Sequence, residues 1–289
     1  MKTIYIPVSD RPECVIALDQ GFKLGEQIRA NVIGYHIRSH SDSTVELPDE
    51  AKSSTLDVHT YDAAWENLLA QKRTNNDHVK AKLLFDKMAE LFGYQLSKKP
   101  QKEPSAFWSE NVGSPEHLFS IMGPVADLIM ISRPASKGAS IARSIMQSAV
   151  LNSASPVLIL PQTKVKPIGH RIAIAWNQST EASLAVKAAM PLLQMATEVN
   201  IITTGTENKL GPKASHLVNY LKLWEVKAKH IKVNGKSDTD ALLNGYKQSH
   251  SDLLVMGAYS RSRLRQQIFG GVTQYMLHEA KIPVLMLHT

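Results

Sequence analysis

Short apolar runs alternate with amphipathic segments along most of the chain. Segments of strand length, most of them rich in apolar residues, predict strands at residues 3–8, 31–37, 106–109, 127–132, 156–160, 171–176, 198–203, 226–233, 252–257 and 283–288. The segments between them carry hydrophobic residues at helical spacing, which predicts helices at residues 13–29, 61–92, 115–126, 139–153, 180–195, 214–225, 239–250 and 271–280. Because strands and helices alternate, the pattern predicts a parallel sheet covered by helices on both faces.

The second half of the chain repeats the plan of the first. Asp127-Leu-Ile-Met-Ile-Ser132 is matched by Asp252-Leu-Leu-Val-Met-Gly257, and the Pro-Val-Leu run at residues 156–158 is matched at residues 283–285. Two matched pairs at nearly the same separation indicate a duplicated unit. We predict an N-terminal domain at residues 1–161, a polar linker at residues 162–170 and a C-terminal domain at residues 171–289.

The predicted fold is α/β, with two tandem doubly wound, Rossmann-like domains. Each domain should hold a mostly parallel five-stranded sheet with helices on both faces. The first domain is enlarged by a polar loop at residues 40–60 and by the long helix that follows it. The last strands of the two domains would lie at sheet edges, so we expect them to pair about a pseudo-twofold axis and remove both exposed edges.

Composition restricts the class of protein. The chain has 289 residues, of which 43% are hydrophobic and 20% are charged, and these fractions are ordinary for a globular protein. No apolar run approaches ~18 residues, so no membrane span is predicted. The N-terminus lacks the long apolar region of a signal peptide, and a single cysteine, Cys14, excludes an internal disulfide. These features predict a cytoplasmic protein.

Charge and metal-ligand patterns give little support for other functions. The net charge of +7 favours anionic partners in general, although a solvated basic surface explains it as well. The densest basic run, at residues 98–102, has no interleaved aromatic residues and predicts a loop rather than a nucleic-acid site. The eleven histidines form no metal-binding pair, so no metal site is predicted. His36 could line a pocket or be a hydrogen-bonded core residue, and Cys14 could be a redox thiol or a buried one.

Glycines between the last two predicted strands of the second half mark a candidate ligand site. In doubly wound sheets, ligands bind at the carboxyl ends of the strands. Gly257 ends one strand, and nine residues separate Ser260 from Gly270 and Gly271, which open a helix. A helix start favours phosphate through its unpaired N–H groups and its dipole. Thr273 could cap this helix or bind a phosphate oxygen, whereas the simpler interpretation is a turn whose arginines, at positions 261, 263 and 265, face water.

The same segment resembles the universal stress protein family. The resemblance rests on Met256-Gly257, Ser260, nine intervening residues, Gly270-Gly271-Val272-Thr273 and a closing Pro-Val-Leu strand. The stretch from Ile172 to Ala182 also resembles the first strand and turn of the family. The likeness is stronger over residues 171–289 than over the first half, and it identifies the chain as a tandem-type member.

The resemblance implies an adenine nucleotide, ATP, in the crevice of the C-terminal domain, with Mg²⁺ only if ATP is bound. The implied phosphate contacts are Gly257, Ser260, Gly270, Gly271, Val272 and Thr273. The implied neighbours of adenine are Ala175, Asn177 and Thr204, with Met256 beneath. Three positions depart from the family pattern: Ser260 replaces a glycine, Asn177 an aspartate and Gly271 a serine. A serine that must adopt a positive φ would lower the affinity, so Ser260→Gly should raise it.

The first half departs further from the family pattern. Arg133 and Pro134 follow Ser132, and residues 140–144 carry Arg143 where the second half has its glycine pair. Pro134 also lacks an N–H donor. This half should therefore be structural or form a partner surface.

These features predict a cytoplasmic stress-response protein with no catalytic residues and at most weak ATP hydrolysis. Its expected partners are an adenine nucleotide and an unidentified protein, and the chain forms an intramolecular pseudo-dimer that could also dimerise. The alternative is a nucleotide-independent interaction protein with a degenerate crevice. A nucleotide-cleaving enzyme ranks last, because no nucleophile or Walker lysine is evident.

Overall fold

The computed structural model describes residues 1–38, 77–134, 140–163, 166–205, 207, 210–258 and 271–288. The polar loop predicted at residues 40–60 and the first part of the helix predicted at residues 61–92 lie outside these ranges.

Strands and helices alternate through the described chain as the sequence pattern predicts. The strands are β1 (Thr3–Pro7), β2 (Asn31–Arg38), β3 (Gln95–Ser97), β4 (Ser105–Val112), β5 (Leu128–Ser132), β6 (Val157–Leu160), β7 (Arg171–Ala175), β8 (Glu198–Thr204), β9 (Ala228–Val233), β10 (Leu253–Gly257) and β11 (Val284–Leu287). The helices are α1 (Pro12–Ile28), α2 (Asp77–Leu91), α3 (Pro115–Met122), α4 (Ser140–Asn152), α5 (Thr180–Met195), α6 (Ala214–Leu223), α7 (Asp238–Gln248) and α8 (Gly271–His278). A short 3₁₀ helix, Gly123–Val125, follows α3.

The described strands form one eleven-stranded sheet in the order β3-β4-β2-β1-β5-β6-β11-β10-β7-β8-β9. Within each half the neighbouring strands are parallel. The order β4-β2-β1-β5-β6 in the first half is repeated as β9-β8-β7-β10-β11 in the second. Two clusters of buried hydrophobic side chains, which include residues of both halves, pack between the sheet and the helices. The predicted α/β fold class is therefore confirmed.

The two halves join through the edge strands that the sequence predicts to pair. β6 and β11 are antiparallel, with Val157 opposite Met286, Leu158 opposite Leu285 and Ile159 opposite Val284. All four residues of β6 are buried. The antiparallel register between equivalent strands is the arrangement expected of a pseudo-twofold relation, and it removes two exposed sheet edges. The predicted pairing is confirmed.

One strand at the outer edge of the first half is absent from the sequence prediction. β3 pairs with β4 in parallel, and two of its three residues are exposed. Gln95-Leu-Ser97 alternates polar and apolar residues over only three positions, which is too short a pattern to predict a strand. The basic residues 98–102 connect β3 to β4 outside any strand or helix, as predicted. The side-chain oxygen of Asn31 holds this connection by accepting hydrogen bonds from the backbone N–H groups of Gln101 and Ser105.

Asp127 and Asp252 have equivalent positions in the two halves, and the structure gives them equivalent contacts. Asp127 Oδ2 accepts hydrogen bonds from the N–H groups of Lys2 and Thr3, at 2.6 and 3.0 Å. The carboxylate of Asp252 accepts from the N–H groups of residues 169–171 at 2.7 to 3.1 Å. Each aspartate therefore anchors the start of the first strand of its half, which explains why the duplicated motif begins with aspartate.

Serine N-caps fix the turns that lead from strands into two helices near the second sheet half. Ser179 Oγ accepts from the N–H of Ala182 at 3.1 Å and starts α5. Ser237 Oγ accepts from the N–H of Asp240 at 3.1 Å and starts α7. Each cap satisfies one of the unpaired N–H groups of a first helical turn. Among the described residues, no helix is both long enough and apolar enough to cross a membrane.

Candidate functional site

A cleft of about 220 Å³ lies at the carboxyl ends of β7, β8 and β10, beside the start of α8. This is the edge at which doubly wound sheets bind ligands. Residues from the ends of three strands, from α7 and α8, and from the segments that follow β7 and β8 line it: Ala175, Trp176, Asn177, Gln178, Ile202, Thr203, Thr204, Glu207, Asp238, Leu242, Met256, Gly257, Val272 and Thr273.

Most of the residues predicted for the ligand site meet in this cleft. Seven of them line it: Ala175, Asn177, Thr204, Met256, Gly257, Val272 and Thr273. Gly271 is the first residue of α8 and is exposed, and a Cβ built on it would meet no atom within 4 Å. Ser260, Gly270 and the arginines at positions 261, 263 and 265 lie outside the described residues.

The turn after β7 is held by side-chain contacts. The indole N–H of Trp176 donates to the carbonyl of Pro212 at 2.9 Å, and the Gln178 amide donates to the carbonyl of Gly211 at 3.0 Å. The side-chain oxygen of Asn177 accepts from the N–H of Ser179 at 3.2 Å. Gln178 has a φ of 63°. Asn177 thus lines the cleft and also shapes the turn into α5, a second role that its position in the sequence does not reveal.

Gly257 is required by packing within the protein. A Cβ built on it would lie 2.5 Å from the backbone nitrogen of Ala182 and 2.6 Å from the carbonyl carbon of Glu181. Backbone atoms cannot yield as a flexible side chain can, so the first turn of α5 approaches β10 only because residue 257 lacks a side chain. The sequence pattern indicated a ligand as the reason for this glycine, and the structure adds the close approach of α5 to β10.

Apolar side chains form one wall of the cleft. Ile202 on β8, Leu242 on α7 and Met256 on β10 all line it and are almost completely buried. A flat apolar ligand would remove further hydrophobic surface from water by packing on this wall.

Two carboxylates, those of Asp238 and Glu207, line the cleft near the end of β8, and neither was predicted from the sequence. Thr204 Oγ1 donates to Asp238 Oδ1 at 3.2 Å, and Glu207 accepts a hydrogen bond from the N–H of Ala214 at the start of α6. Among the described lining residues, none is lysine or arginine. One signal for Asp238 was available in the sequence. Because β9 also ends at the carboxyl edge of the sheet, the start of α7, which follows β9, should lie near the other strand ends.

The equivalent place in the first half is a smaller and largely apolar pocket of about 40 Å³. Ser132 lines it at the position equivalent to Gly257, and Tyr35 lines it opposite. The hydroxyl groups of both residues are buried and have no hydrogen-bond partner among the residues that the structure describes. Burial raises the pKa of Tyr35, which keeps its phenol protonated. That this half does not hold a nucleotide stays a prediction.

Arg133, which follows β5, joins the first half to the last helix of the second. Its guanidinium donates to the carbonyls of Met276, Leu277 and Ile282, and the residue is 4% exposed. Burial lowers the pKa of Arg133 to about 10. The contacted carbonyls lie at and beyond the C-terminal end of α8, where the helix dipole favours a cation. The start of α8 faces the cleft, so Arg133 anchors the far end of a helix that forms the site.

His36 and Cys14 are both accounted for by packing. His36 is buried, its Nδ1 lies 2.7 Å from the carbonyl oxygen of Val8, and its ring stacks on Trp108. Burial raises the pKa of the Cys14 thiol, which favours the unreactive thiol over the thiolate. These observations support the interpretations of a hydrogen-bonded core histidine and a buried cysteine. The described residues contain no group of three or more histidine, cysteine or carboxylate side chains that could hold a metal ion.

Comparisons with known proteins agree with this geometry. The model of the universal stress protein family matches residues 180–288. A universal stress protein from Archaeoglobus fulgidus superposes with a TM-score of 0.65 at 14% identity, covering 99% of this chain and 95% of that one. A putative universal stress protein from Pseudomonas aeruginosa gives 0.54 at 13% identity, covering 99% and 93%.

At these identities the two superpositions establish the fold alone, and they extend it over the whole chain. A search of curated proteins finds no match. The family match covers the strands and helices that form the cleft, apart from β7 and the turn that follows it. The chain therefore carries a domain of the universal stress protein family in its C-terminal half.

Proposed function

We propose that this protein binds an adenine nucleotide, ATP, in the cleft of its C-terminal half and acts as a cytoplasmic stress-response protein rather than as an enzyme. The observation that carries the proposal is the cleft itself. It brings seven predicted site residues from β7, β8, β10 and α8 to one edge of the sheet, within the half that matches the universal stress protein family.

The chemistry of the cleft fits a nucleotide. Val272 and Thr273, in the first turn of α8, line one end, where unpaired N–H groups and the helix dipole favour phosphate. The apolar wall of Ile202, Leu242 and Met256 suits the face of a base. Mg²⁺ would enter with ATP, since no metal site is predicted from the protein alone.

Binding is proposed for the second half only, with one nucleotide per chain. The pocket of the first half is much smaller, and Ser132 stands where the second half has Gly257. We retain residues 1–161 and 171–289 as the two domains, with residues 162–170 between them. Of these, only the second would bind the ligand.

Gly271→Asp tests the phosphate end of the cleft. A Cβ at residue 271 meets no atom of the described residues within 4 Å, so the substitution fits the described part of the fold. An acidic residue in the first turn also interacts favourably with the helix dipole, so α8 is not weakened. The new carboxylate repels phosphate, and calorimetry should record ATP binding at least about tenfold weaker, which corresponds to ~1.4 kcal/mol.

The matched control is Gly271→Ser, which adds a Cβ and a hydroxyl without charge and should keep affinity within about threefold of wild type. Unchanged affinity in Gly271→Asp would contradict the placement of phosphate at α8. If the wild-type protein binds neither ATP, ADP nor AMP, the alternative is favoured: a nucleotide-independent interaction protein with a degenerate crevice.

A further inference from the structure

The charged groups of the cleft are separated along its length. The start of α8 follows β10, whereas Asp238 accepts a hydrogen bond from Thr204 at the end of β8, and Glu207 follows β8, two strands away from β10 in the sheet. The following inference rests on the proposed nucleotide binding. A nucleotide carries its negative charge on phosphate and none on its base, so Coulomb repulsion from the two carboxylates directs the phosphates towards α8. The base is then directed towards Asp238.

The order of strands gives the same orientation independently of charge. The strands follow one another across the sheet in the order β10, β7, β8 and β9, and neighbouring strands are about 4.8 Å apart. The chain continues from β9 into α7. Phosphates at the start of α8 lie beside β10, which places the sugar near β7 and the base near β8. The base then packs on the wall formed by Ile202, Leu242 and Met256, with its outer edge towards α7.

Asp238 is held in place at that outer edge. It is the first residue of α7, it is exposed to the cleft, and its Oδ1 accepts the hydrogen bond from Thr204 at 3.2 Å. Its Oδ2 has no hydrogen-bond partner among the described residues. Glu207 differs, because it accepts a hydrogen bond from the N–H of Ala214 and caps α6. Asp238 therefore offers a fixed oxygen that, in the ionised carboxylate, can only accept hydrogen bonds.

We propose that Asp238 selects the base by reading the substituent at its six-position. The carboxylate accepts a hydrogen bond from the amino group of adenine, which is a donor. It repels the carbonyl oxygen that guanine and hypoxanthine carry at the same position, which is an acceptor. The donor–acceptor match stabilises the adenine complex. The mismatch leaves two acceptors facing each other without a proton, which destabilises the other complexes.

The test compares ATP with inosine triphosphate, in which an oxo group replaces the amino group at the six-position of the base. Calorimetric competition on the wild-type protein should give at least about tenfold tighter binding of ATP, as one charge-assisted hydrogen bond supports. In Asp238→Asn, the side-chain amide can donate to the oxo group, so the ratio should fall to about twofold or less. This ratio is insensitive to general electrostatic changes, because the two ligands carry the same phosphates.

Asp240→Asn is the matched control. Asp240 lies in the same turn of α7 and carries the same charge, but it contacts Ser237 and does not line the cleft. It should keep the wild-type ratio. The wild-type comparison needs no variant, so the proposal is tested even if a substitution impairs folding.

The outcomes separate the two proposals. Tight binding of ATP with an equal affinity for inosine triphosphate, or a wild-type ratio in Asp238→Asn, overturns the role of Asp238 and leaves nucleotide binding intact. In a further outcome, Asp238→Asn loses a preference for ATP over 2′-deoxy-ATP but keeps the affinity ratio of ATP to inosine triphosphate. Asp238 then contacts the ribose, and the proposal is overturned. No binding of either triphosphate removes both proposals.

Discussion

Arg133→Met should destabilise the protein, because it removes the only donors that the structure describes for three carbonyls at the end of α8 while keeping a side chain of similar length. The buried guanidinium donates to the carbonyls of Met276, Leu277 and Ile282, and no carboxylate pairs with it among the described residues. The substitution therefore separates hydrogen bonding from volume.

The expected magnitude follows from two opposing effects. Three hydrogen bonds from a charged donor contribute about 1.5–3 kcal/mol each, or roughly 5–9 kcal/mol together. Burial opposes the charge: lowering the pKa from 12.5 to about 10 corresponds to about 3 kcal/mol at ~1.4 kcal/mol per pKa unit. The difference predicts a loss of roughly 2–6 kcal/mol. The lower part of this range is expected, because the end of a helix gains some hydration when the arginine is removed.

The assay is urea denaturation followed by circular dichroism at neutral pH, with the free energy of unfolding extrapolated to water. Arg143→Met is the matched control, since Arg143 is exposed and its loss should change stability by less than about 0.5 kcal/mol. Arg133→Lys keeps the charge but not the fork of donors, and it should fall between wild type and Arg133→Met. A loss below about 1 kcal/mol in Arg133→Met would refute the reasoning that Arg133 anchors α8.

Three further predictions concern packing, pH and the loop before α8. Gly257→Ala should lower the unfolding free energy by about 1–3 kcal/mol and weaken ATP binding, because the added Cβ meets the backbone of Glu181 and Ala182. A thermal denaturation midpoint and a calorimetric ATP affinity equal to those of wild type would contradict this. Burial, with Arg143 and Arg133, lowers the pKa of His278 in the folded protein, so the unfolded chain takes up a proton first as the pH falls below about 6.5. The free energy of unfolding should therefore be lower at about pH 5 than at about pH 7, and urea denaturation should show a smaller decrease in His278→Gln than in wild type. An equal decrease in the two proteins would exclude the effect. Ser260→Gly should raise ATP affinity by up to about tenfold in calorimetry, and an unchanged or lower affinity would exclude steric obstruction at this position.

The local pattern of apolar and polar residues predicts most of the strands and helices. The exception is β3, which forms through its pairing with β4. β7 to β11 lie within about two residues of their predicted positions. β7, β10 and β11 are almost entirely apolar, which marks strands buried on both faces, whereas β9 is a partly exposed edge strand. Matching Asp127 with Asp252 correctly indicated the duplication, since both anchor a first strand. β3 has no signal of its own, because Gln95-Leu-Ser97 becomes a strand only through hydrogen bonds to β4.

Some residues of the candidate site could be predicted from the sequence, and others could not. Residues at the ends of β7, β8 and β10 could be predicted, because the fold class itself specifies where strand ends converge. Asp238 was missed because the start of α7, which follows β9, was not considered with the other strand ends. Glu207 could not be predicted, since only the tertiary arrangement brings the segment between β8 and α6 to the cleft. Arg133 was recognised as a departure from the phosphate-binding pattern. Its contacts were not predictable, because every residue has a backbone carbonyl and the sequence does not show which ones, more than 140 positions away, accept its hydrogen bonds.

Native mass spectrometry of the protein purified from cells can show directly whether the second half holds a nucleotide. We expect one adenine nucleotide per chain in the wild-type protein and none, or a much smaller fraction, in Gly271→Asp. The counterpart pocket in the first half should stay free of nucleotide even after ATP is added. Two nucleotides per chain, or equal occupancy of wild type and Gly271→Asp, would contradict a single nucleotide site at the start of α8.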